Sequence, residues 1–429
     1  MKILVLGSGA REHAIILSLR AETDSHDITA APGNAGIARD VTCATFDITD
    51  PVIVANVAIE MAADLVVIGP EAPLVAGVAD ELREQGIPVF GPGKAAAQLE
   101  GSKTFAKRVM DAAGVPSGRA TRATSLAEVE SALDAFGSPY VVKADGLAAG
   151  KGVLVTHDRD AARDHARAYL PHGSILVEEF LEGQEVSLFL LSDGHRVLPL
   201  SPAQDYKRLG DGDAGPNTGG MGAYSPLPWL DETFGSEEAF VDEVIRTVAQ
   251  PVITQLAEDQ TPFIGLLYAG LILTSKRDNA DDSGIRVIEF NARFGDPETQ
   301  VVLPRLATPL SQLLLAAATG TLDDSDRPEF SMTTAVTVVL ASENYPAKPI
   351  TGRQITGLDA AEAIEGVHIA HAATTDAGGR LTASGGRVLN VVALGTTFSE
   401  ARERAYDAIG LIELEGAQYR SDIARCVAD

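Results

Sequence analysis

Cysteine is nearly absent: Cys43 and Cys426 are the two in 429 residues. Two isolated thiols build neither a disulfide framework nor a zinc site, so packing must hold the fold, as suits a reducing cytoplasm. Long apolar runs are missing too. None reaches the roughly 18 residues that a membrane-spanning helix needs. The opening Met-Lys-Ile-Leu-Val-Leu-Gly meets charge and glycine too early for a secretory leader and reads as a strand. Aromatic residues make up only 5%. The apolar mass is Ala, Val, Leu and Ile, the composition of helices packed on parallel strands. Positive charge is scarce, 34 Lys and Arg against 60 Asp and Glu, for a formal net charge of −26. That balance argues against binding a nucleic-acid backbone or an anionic membrane. The acidity is explained as a solubility adaptation. It has one consequence for function: an anion site in this chain must gather its few basic residues locally. No internal repeat or low-complexity tract occurs, and no Ser-His-Asp or Cys-His arrangement shows.

What is present is a long chain with 45% hydrophobic residues, enough for about three domains with sizeable cores. Residues 1–101 alternate strands (2–6, 27–31, 41–44, 65–69, 88–90) with helices (11–21, 51–61, 74–85). This βαβ pattern predicts an open, mostly parallel α/β sheet with ligands at the carboxyl ends of its strands. Residues 102–325 form a second unit of mixed α/β and α+β character. Its helix at 102–113 leads into shorter strands at 140–143, 153–156, 175–179 and 186–191, with helices at 126–135 and 160–168. The segment 115–190 reads as a small mobile lid. A glycine-rich stretch (210–222), a helix (237–256), two strands (263–274 and 285–291) and two further helices to residue 320 complete the unit. Residues 326–429 form a strand-rich C-terminal α/β domain, with strands at 335–340 and 388–393 and a helix at 399–409.

The most informative string is Glu289-Phe-Asn-Ala-Arg-Phe-Gly-Asp-Pro-Glu-Thr-Gln300. It continues the apolar strand 285–288, and residues two apart on a strand share a face. Glu289 and Asn291 therefore point one way and Phe290 the other. A carboxylate and an amide oxygen together are hard ligands suited to Mg²⁺. Arg293 and Asp296 follow at the strand's mouth.

Lys143-Ala-Asp-Gly-Leu-Ala-Ala-Gly-Lys-Gly152 places Lys143 at a strand end, then a glycine-rich turn with Gly150, Lys151 and Gly152. Such a loop can fold over phosphates with backbone N–H groups and lysine. Read alone it is also compatible with a solvated hairpin; in so acidic a chain the two lysines favour a nucleotide lid. The strand end around Glu178 and Leu181 can meet a nucleotide base, with Glu185 reaching ribose hydroxyls. Asp205-Tyr-Lys207-Arg208 and the loop carrying Asn217, Thr218 and Gly219 favour substrate contact. Gly7-Ser-Gly9-Ala-Arg11-Glu12 lacks the third glycine of a dinucleotide fingerprint, and no acid ends the second strand. The turn still reads as an anion site for a monophosphate at a helix N-terminus, reinforced by Arg11. His13, beside it, reads as a packed residue.

Taken together, these strings, with Ala31-Pro-Gly-Asn34-Ala-Gly, Gly69-Pro-Glu71-Ala-Pro-Leu and Gln98-Leu-Glu-Gly-Ser-Lys103, resemble the phosphoribosylamine–glycine ligases of the ATP-grasp superfamily over essentially the whole chain. The resemblance implies an ATP-grasp module with a mobile lid and a monomeric enzyme of early purine synthesis. Its substrates would be ATP, glycine and 5-phosphoribosylamine, with Mg²⁺ or Mn²⁺ as cofactor. It implies that Lys103, Lys143 and Lys151 serve the ATP phosphates, that Glu289 and Asn291 hold the metal, and that Arg293 steadies the transferring group. It further implies that Gly9, Arg11, Glu12, Asn34 and Glu71 bind the phosphoribosylamine, and that Asp205, Lys207, Arg208, Asn217 and Thr218 close over the substrates. Many ATP-grasp enzymes carry a second metal carboxylate on the preceding strand; residues 268–274 offer none here. Two other readings remain: a ligase for a different acid or amine, which ATP hydrolysis dependent on other substrates would reveal, and a nucleotide sensor that binds ATP without turnover.

Overall fold

The structure is a computed structural model that describes residues 1–147, 152–275, 282–323 and 327–428. The first sheet has five parallel strands in the order Thr42–Cys43, Asp27–Pro32, Lys2–Gly7, Leu65–Ile68, Val89–Phe90. Leu65–Ile68 is buried throughout, as a parallel strand covered on both faces must be. The helix Pro51–Met61 shows the local logic. Asp50 caps it by accepting from the Val52 and Ile53 N–H groups, Pro51 opens it, and Ala62 closes it in the left-handed region. The helix expected at 74–85 is instead two, Glu71–Ala76 and Val78–Glu84. Gly77 breaks it at φ 98°, where an L side chain would be strained.

A second sheet, antiparallel, runs in the order Val197–Pro199, Gly183–Asp193, Ile264–Thr274, Ile285–Asn291. The residues 186–191, read from sequence with the lid strands, lie inside Gly183–Asp193 at the centre of this sheet. Eleven cross-strand pairs with Ile264–Thr274 hold them there. The lid sheet is separate: Ala120–Ala123, Ile175–Glu178, Tyr140–Ala144, Val153–Thr156. The helices Leu126–Phe136 and Arg159–Tyr169 back it and enclose a small core of their own around Val129, Leu133, Val142 and Ile175. The helix expected at 237–256 is interrupted by a wide turn, Ile245–Ala249, between Glu237–Val244 and Gln250–Glu258. Pro251, which has no N–H to donate to the preceding turn, accounts for the widening.

The last sheet runs Gln204–Asp205, Gly222–Ser225, Thr334–Ala341, Arg387–Gly395, Val367–His371, with the helix Phe398–Leu411 packed on it. Its first two strands come from the middle of the chain. The two larger apolar clusters each draw on the first, second and last sheets, so these three share continuous cores. No helix among the described residues is long and apolar enough to cross a membrane.

Candidate active site

The strand Ile285–Asn291 pairs Glu289 with Gly270 and Asn291 with Tyr268, while Phe290 turns into the core. A bulge next to Gly270 leaves Ile288 without a partner on the neighbouring strand. The Ile288 carbonyl instead accepts from Lys143 Nζ at 3.2 Å. Lys143 also lies 2.7 Å from Glu178 Oε2, and the other Glu178 oxygen is 3.7 Å from Lys107. Lys103, on the same helix as Lys107, donates to the Gly146 carbonyl at 3.2 Å. On the other side Lys207 sits 2.8 Å from Glu185 and 4.0 Å from Asp205.

These cations are poorly hydrated. Burial pushes the pKa of Lys103 and Lys107 down, Lys143 adds like-charge repulsion, and nearby carboxylates offset only part of it. Burial also opposes ionisation of Glu289, but Lys207, Lys143, Lys103 and Arg293 outweigh it and hold its carboxyl below the usual range. Asp205 is pushed up to about 7 by burial and by Glu298, Glu185 and Glu289, against the pull of Lys207. Lys207 is correspondingly raised, since the surrounding carboxylates more than offset its burial.

Arg293 leaves the strand mouth and joins two short helices that follow strands of the first sheet, Glu71–Ala76 and Gln98–Gly101. It is 2.7 Å from Glu100 and 3.5 Å from Glu71, and donates to Asn291 Oδ1 at 3.3 Å. Burial works against its charge, and the two glutamates more than offset it, so its pKa is raised. Glu71, despite burial, is held low by Arg293 and Arg11. Asp296 accepts from Gln300 at 2.7 Å and pairs with Arg387 at 2.9 Å.

The anion turn at the first strand end is filled from within. Glu12 is buried, its Oε2 accepts from the Gly9 N–H at 2.6 Å, and its Oε1 pairs with Arg11 at 2.7 Å. Arg11 also donates to the Phe294 carbonyl at 3.0 Å, toward Arg293. A Cβ on Gly7, at φ 132°, would lie 2.5 Å from Glu12 Cδ, and one on Gly69 2.1 Å from Glu12 Oε1. Asn34 is fully engaged in structure: its amide donates to the carbonyls of Ser8 (2.9 Å) and His371 (2.8 Å), and its oxygen accepts from the Gly36 and Ile37 N–H groups. His13 is satisfied by Asp40 at 2.8 Å and by the His371 N–H at 2.8 Å. Arg208 and Asn217 pair across a short hairpin. Thr218 bonds the Lys207 carbonyl through both its N–H and Oγ1, and the Gly219 N–H donates to Tyr345 at 2.9 Å. Leu181 packs beside Gly118, next to the Glu178 strand end. Gly152 is buried and begins the return from the loop; Gly150 and Lys151 lie outside the described residues.

Several residues were not singled out from sequence: Glu100, Lys107, Glu298 and Arg387, each meaningful only through a distant partner. Glu298, buried, accepts from Tyr268 at 2.5 Å and from Ser187 at 3.3 Å, and so fixes the loop after Asp296 to the central strands. Asp145 anchors the start of the glycine loop by accepting from Thr104 at 2.6 Å, Ser174 at 3.0 Å and Ser102 at 3.1 Å.

No group of three or more His, Cys, Asp or Glu among the described residues is placed to hold a metal ion. The donor set of Glu289 and Asn291 suits a hard cation that keeps most of its ligands as water and phosphate, the habit of Mg²⁺. The Glu289 side chain makes no hydrogen bond among the described residues, so its carboxylate oxygens are available, and the preceding strand places Gly270 beside it and no carboxylate.

Desolvated lysines under a lid, facing a free carboxylate and an amide at a strand mouth, define an ATP-grasp enzyme, and residues 101–299 match "Phosphoribosylglycinamide synthetase, ATP-grasp (A) domain". Residues 1–100 match the N domain of the same description and residues 335–426 its C domain. The chain belongs to the phosphoribosylglycinamide synthetase family. It is 70% identical over 427 residues to the phosphoribosylamine–glycine ligase of Leifsonia xyli, covering 99% of each chain. It is 57% identical over 426 residues to that of Streptomyces coelicolor, again with 99% of each covered. The solved phosphoribosylamine–glycine ligase of Thermotoga maritima superposes with a TM-score of 0.81 at 30% identity, over 98% of this chain and 100% of that one. The biotin carboxylase domain of Hydrogenobacter thermophilus 2-oxoglutarate carboxylase, with a TM-score of 0.68 at 17% identity over 97% and 91%, shares the fold alone.

Proposed function

We propose that this chain joins glycine to 5-phosphoribosylamine with ATP, giving glycinamide ribonucleotide, ADP and phosphate, an early step of purine synthesis. The observation that carries the reading is the set of Lys103, Lys143, Lys207 and Arg293 around the carboxylate of Glu289, in a chain of net charge −26. A cluster of half-buried to buried cations in so acidic a protein is built for a highly charged anion, and family membership names ATP.

A carboxylate is a poor electrophile. The glycine carboxylate oxygen attacks the γ-phosphorus, ADP leaves, and glycyl phosphate results. The amine nitrogen of phosphoribosylamine then attacks the acyl carbon, phosphate departs and the nitrogen sheds a proton. Phosphoryl transfer asks for positioning and charge neutralisation more than covalent help. Lys103 and Lys143, with Lys151 and the backbone around Gly150 and Gly152, neutralise the phosphates. Glu289 and Asn291 would hold Mg²⁺ or Mn²⁺, which would supply further charge neutralisation. Arg293 and Asp296 set the reacting end. Glu178, Leu181 and Glu185 border the nucleoside. Gly9, Arg11, Glu12, Asn34 and Glu71 frame the phosphoribosyl end, with Glu12 and Asn34 acting by shaping the loops. Lys207, Arg208, Asn217, Thr218 and Gly219 close the other side. Asp205, whose carboxyl is pushed up to about 7 by burial, is suited to take up the shed proton. The enzyme works in the cytoplasm as a monomer of three domains, 1–101, 102–325 and 326–429.

The test is ADP release with Mg-ATP, glycine and phosphoribosylamine generated in place, each omitted in turn. One ADP per glycinamide ribonucleotide, with need for both co-substrates, is the expected result. ADP release indifferent to glycine would redirect the reading to another acid and amine.

A further inference from the structure

Arg387 opens the strand Arg387–Gly395 of the C-terminal sheet, and its guanidinium leaves that sheet for two loops of the central region. One terminal nitrogen, Nη1, donates to the Asp296 carbonyl at 2.6 Å, to the Gly219 carbonyl, and at 3.5 Å to the Gly220 carbonyl. The other pairs with the Asp296 carboxylate at 2.9 Å. The glycines make room for this. A Cβ on Gly219 would lie 2.9 Å from Arg387 Cζ, and one on Gly220 would lie 2.3 Å from Pro297 Cδ. Tyr345, also C-terminal, accepts from the Gly219 N–H at 2.9 Å, so that domain grips both polar groups of one residue. The fork of donors in arginine suits four oxygens at once in a way a single ammonium does not.

We propose that Arg387 is a positioning residue: it welds the Asn217–Gly220 loop to Asp296 and so sets the glycine and amine subsites, leaving the Lys103 and Lys143 side of the ATP subsite untouched. The inference rests on the ligase reading above. Its selectivity follows from placement. The phosphate-facing lysines Lys103 and Lys143 sit on the helix Lys103–Ala113 and the strand Tyr140–Ala144, and neither contacts Arg387 among the described residues.

The test is steady-state kinetics on the full chain for R387A and R387K, varying ATP, glycine and phosphoribosylamine separately, with thermal unfolding alongside. In R387A the KM for glycine or phosphoribosylamine should rise about tenfold or more while the KM for ATP stays within about twofold, as expected when loop placement alone is lost. Added guanidinium ion should restore part of the lost kcat/KM in R387A and none in R387K, whose side chain fills the site. Unchanged KM values for both co-substrates, or a parallel rise for all three substrates with loss of thermal stability, would overturn the proposal. If R387A fails to fold, R387K carries the same KM comparison. Failure of the wild-type chain to form glycinamide ribonucleotide would instead sink the underlying ligase reading, so the two failures are distinguishable.

Discussion

Arg293→Met tests what holds the strand mouth together. The substitution keeps most of the stem and removes the guanidinium. In the wild type, Glu100 has 9% of its side chain exposed and receives Arg293 at 2.7 Å and the Ala292 N–H at 2.8 Å. Burial pushes its pKa up, Glu71 adds to the rise, and Arg293 with the Ala292 N–H pulls back against them; the net direction is up. Without the guanidinium the carboxylate is buried and unpaired, a situation that costs about 3–5 kcal/mol when one partner of a buried pair is removed. Protonation relieves it. A folded pKa above the unfolded value of about 4.3 gives a contribution that is complete below that value and is lost as pH rises through the folded pKa. Losing Arg293 moves the folded pKa further up. The deficit of R293M should therefore be small at about pH 5 and approach about 3–5 kcal/mol at about pH 8. E100Q offers an uncharged replacement of the same size, so R293M/E100Q should recover most of the stability at high pH. Activity should stay lost, because the contacts to Glu71 and Asn291 are not restored. Urea unfolding at both pH values on the three variants measures this. Wild-type stability of R293M at the higher pH, or no rescue by E100Q, would refute the reasoning.

Glu289→Gln should lower turnover more than about tenfold at saturating Mg²⁺, while metal-free ADP binds at least as tightly, because negative charge has left a cation cluster. Near-normal turnover would remove Glu289 from the metal site. Asn34→Ala strands the Ser8 and His371 carbonyls and should cost about 1–3 kcal/mol in unfolding experiments, with little change in the KM for phosphoribosylamine. A large KM change at intact stability would make Asn34 a substrate contact. Burial pushes the Asp205 carboxyl up to about 7, so the pH profile of kcat/KM should bend there, and Asp205→Asn should erase the bend. An identical profile in the variant would assign the titration to another group.

The readable parts of this chain were those whose cause is local. Asp50, Pro51 and the apolar spacing specify the helix Pro51–Met61 to the residue, and Ser102 with Gly114 brackets Lys103–Ala113, which starts one residue later than read because Ser102 is its cap. Alternation on Ile285–Asn291 put Glu289 and Asn291 on one face and Phe290 in the core, as found. The four lysines of the cleft were legible in part: Lys103, Lys143 and Lys207 through motifs, Lys107 not at all, because it looks like any helix-surface lysine until Glu178 is folded against it. Glu100 and Arg387 were hidden for the same reason. Gly183–Asp193 was placed with the wrong neighbours because pairing partners 71 to 91 residues away leave no mark on a strand's own sequence. The internal filling of the first turn did have a local signal. Glu12 stands three residues after the cap position at Gly9, the spacing at which a carboxylate reaches back to the cap N–H.

The sheet that begins with Gln204–Asp205 and Gly222–Ser225 has a consequence for heredity and engineering. Both strands lie within the region matched as the ATP-grasp domain, yet they form one side of the C-terminal sheet, where Gly222–Ser225 pairs with Thr334–Ala341. Severing the chain in the 320s would leave Thr334–Ala341 as a raw edge on one fragment and the far side of Gly222–Ser225 bare on the other, and bare edges invite foreign pairing. The three matched segments are therefore not interchangeable cassettes. A chimera between two relatives would have to transplant residues 204–225 along with the C-terminal piece, and Arg387 would travel with the glycines it grips.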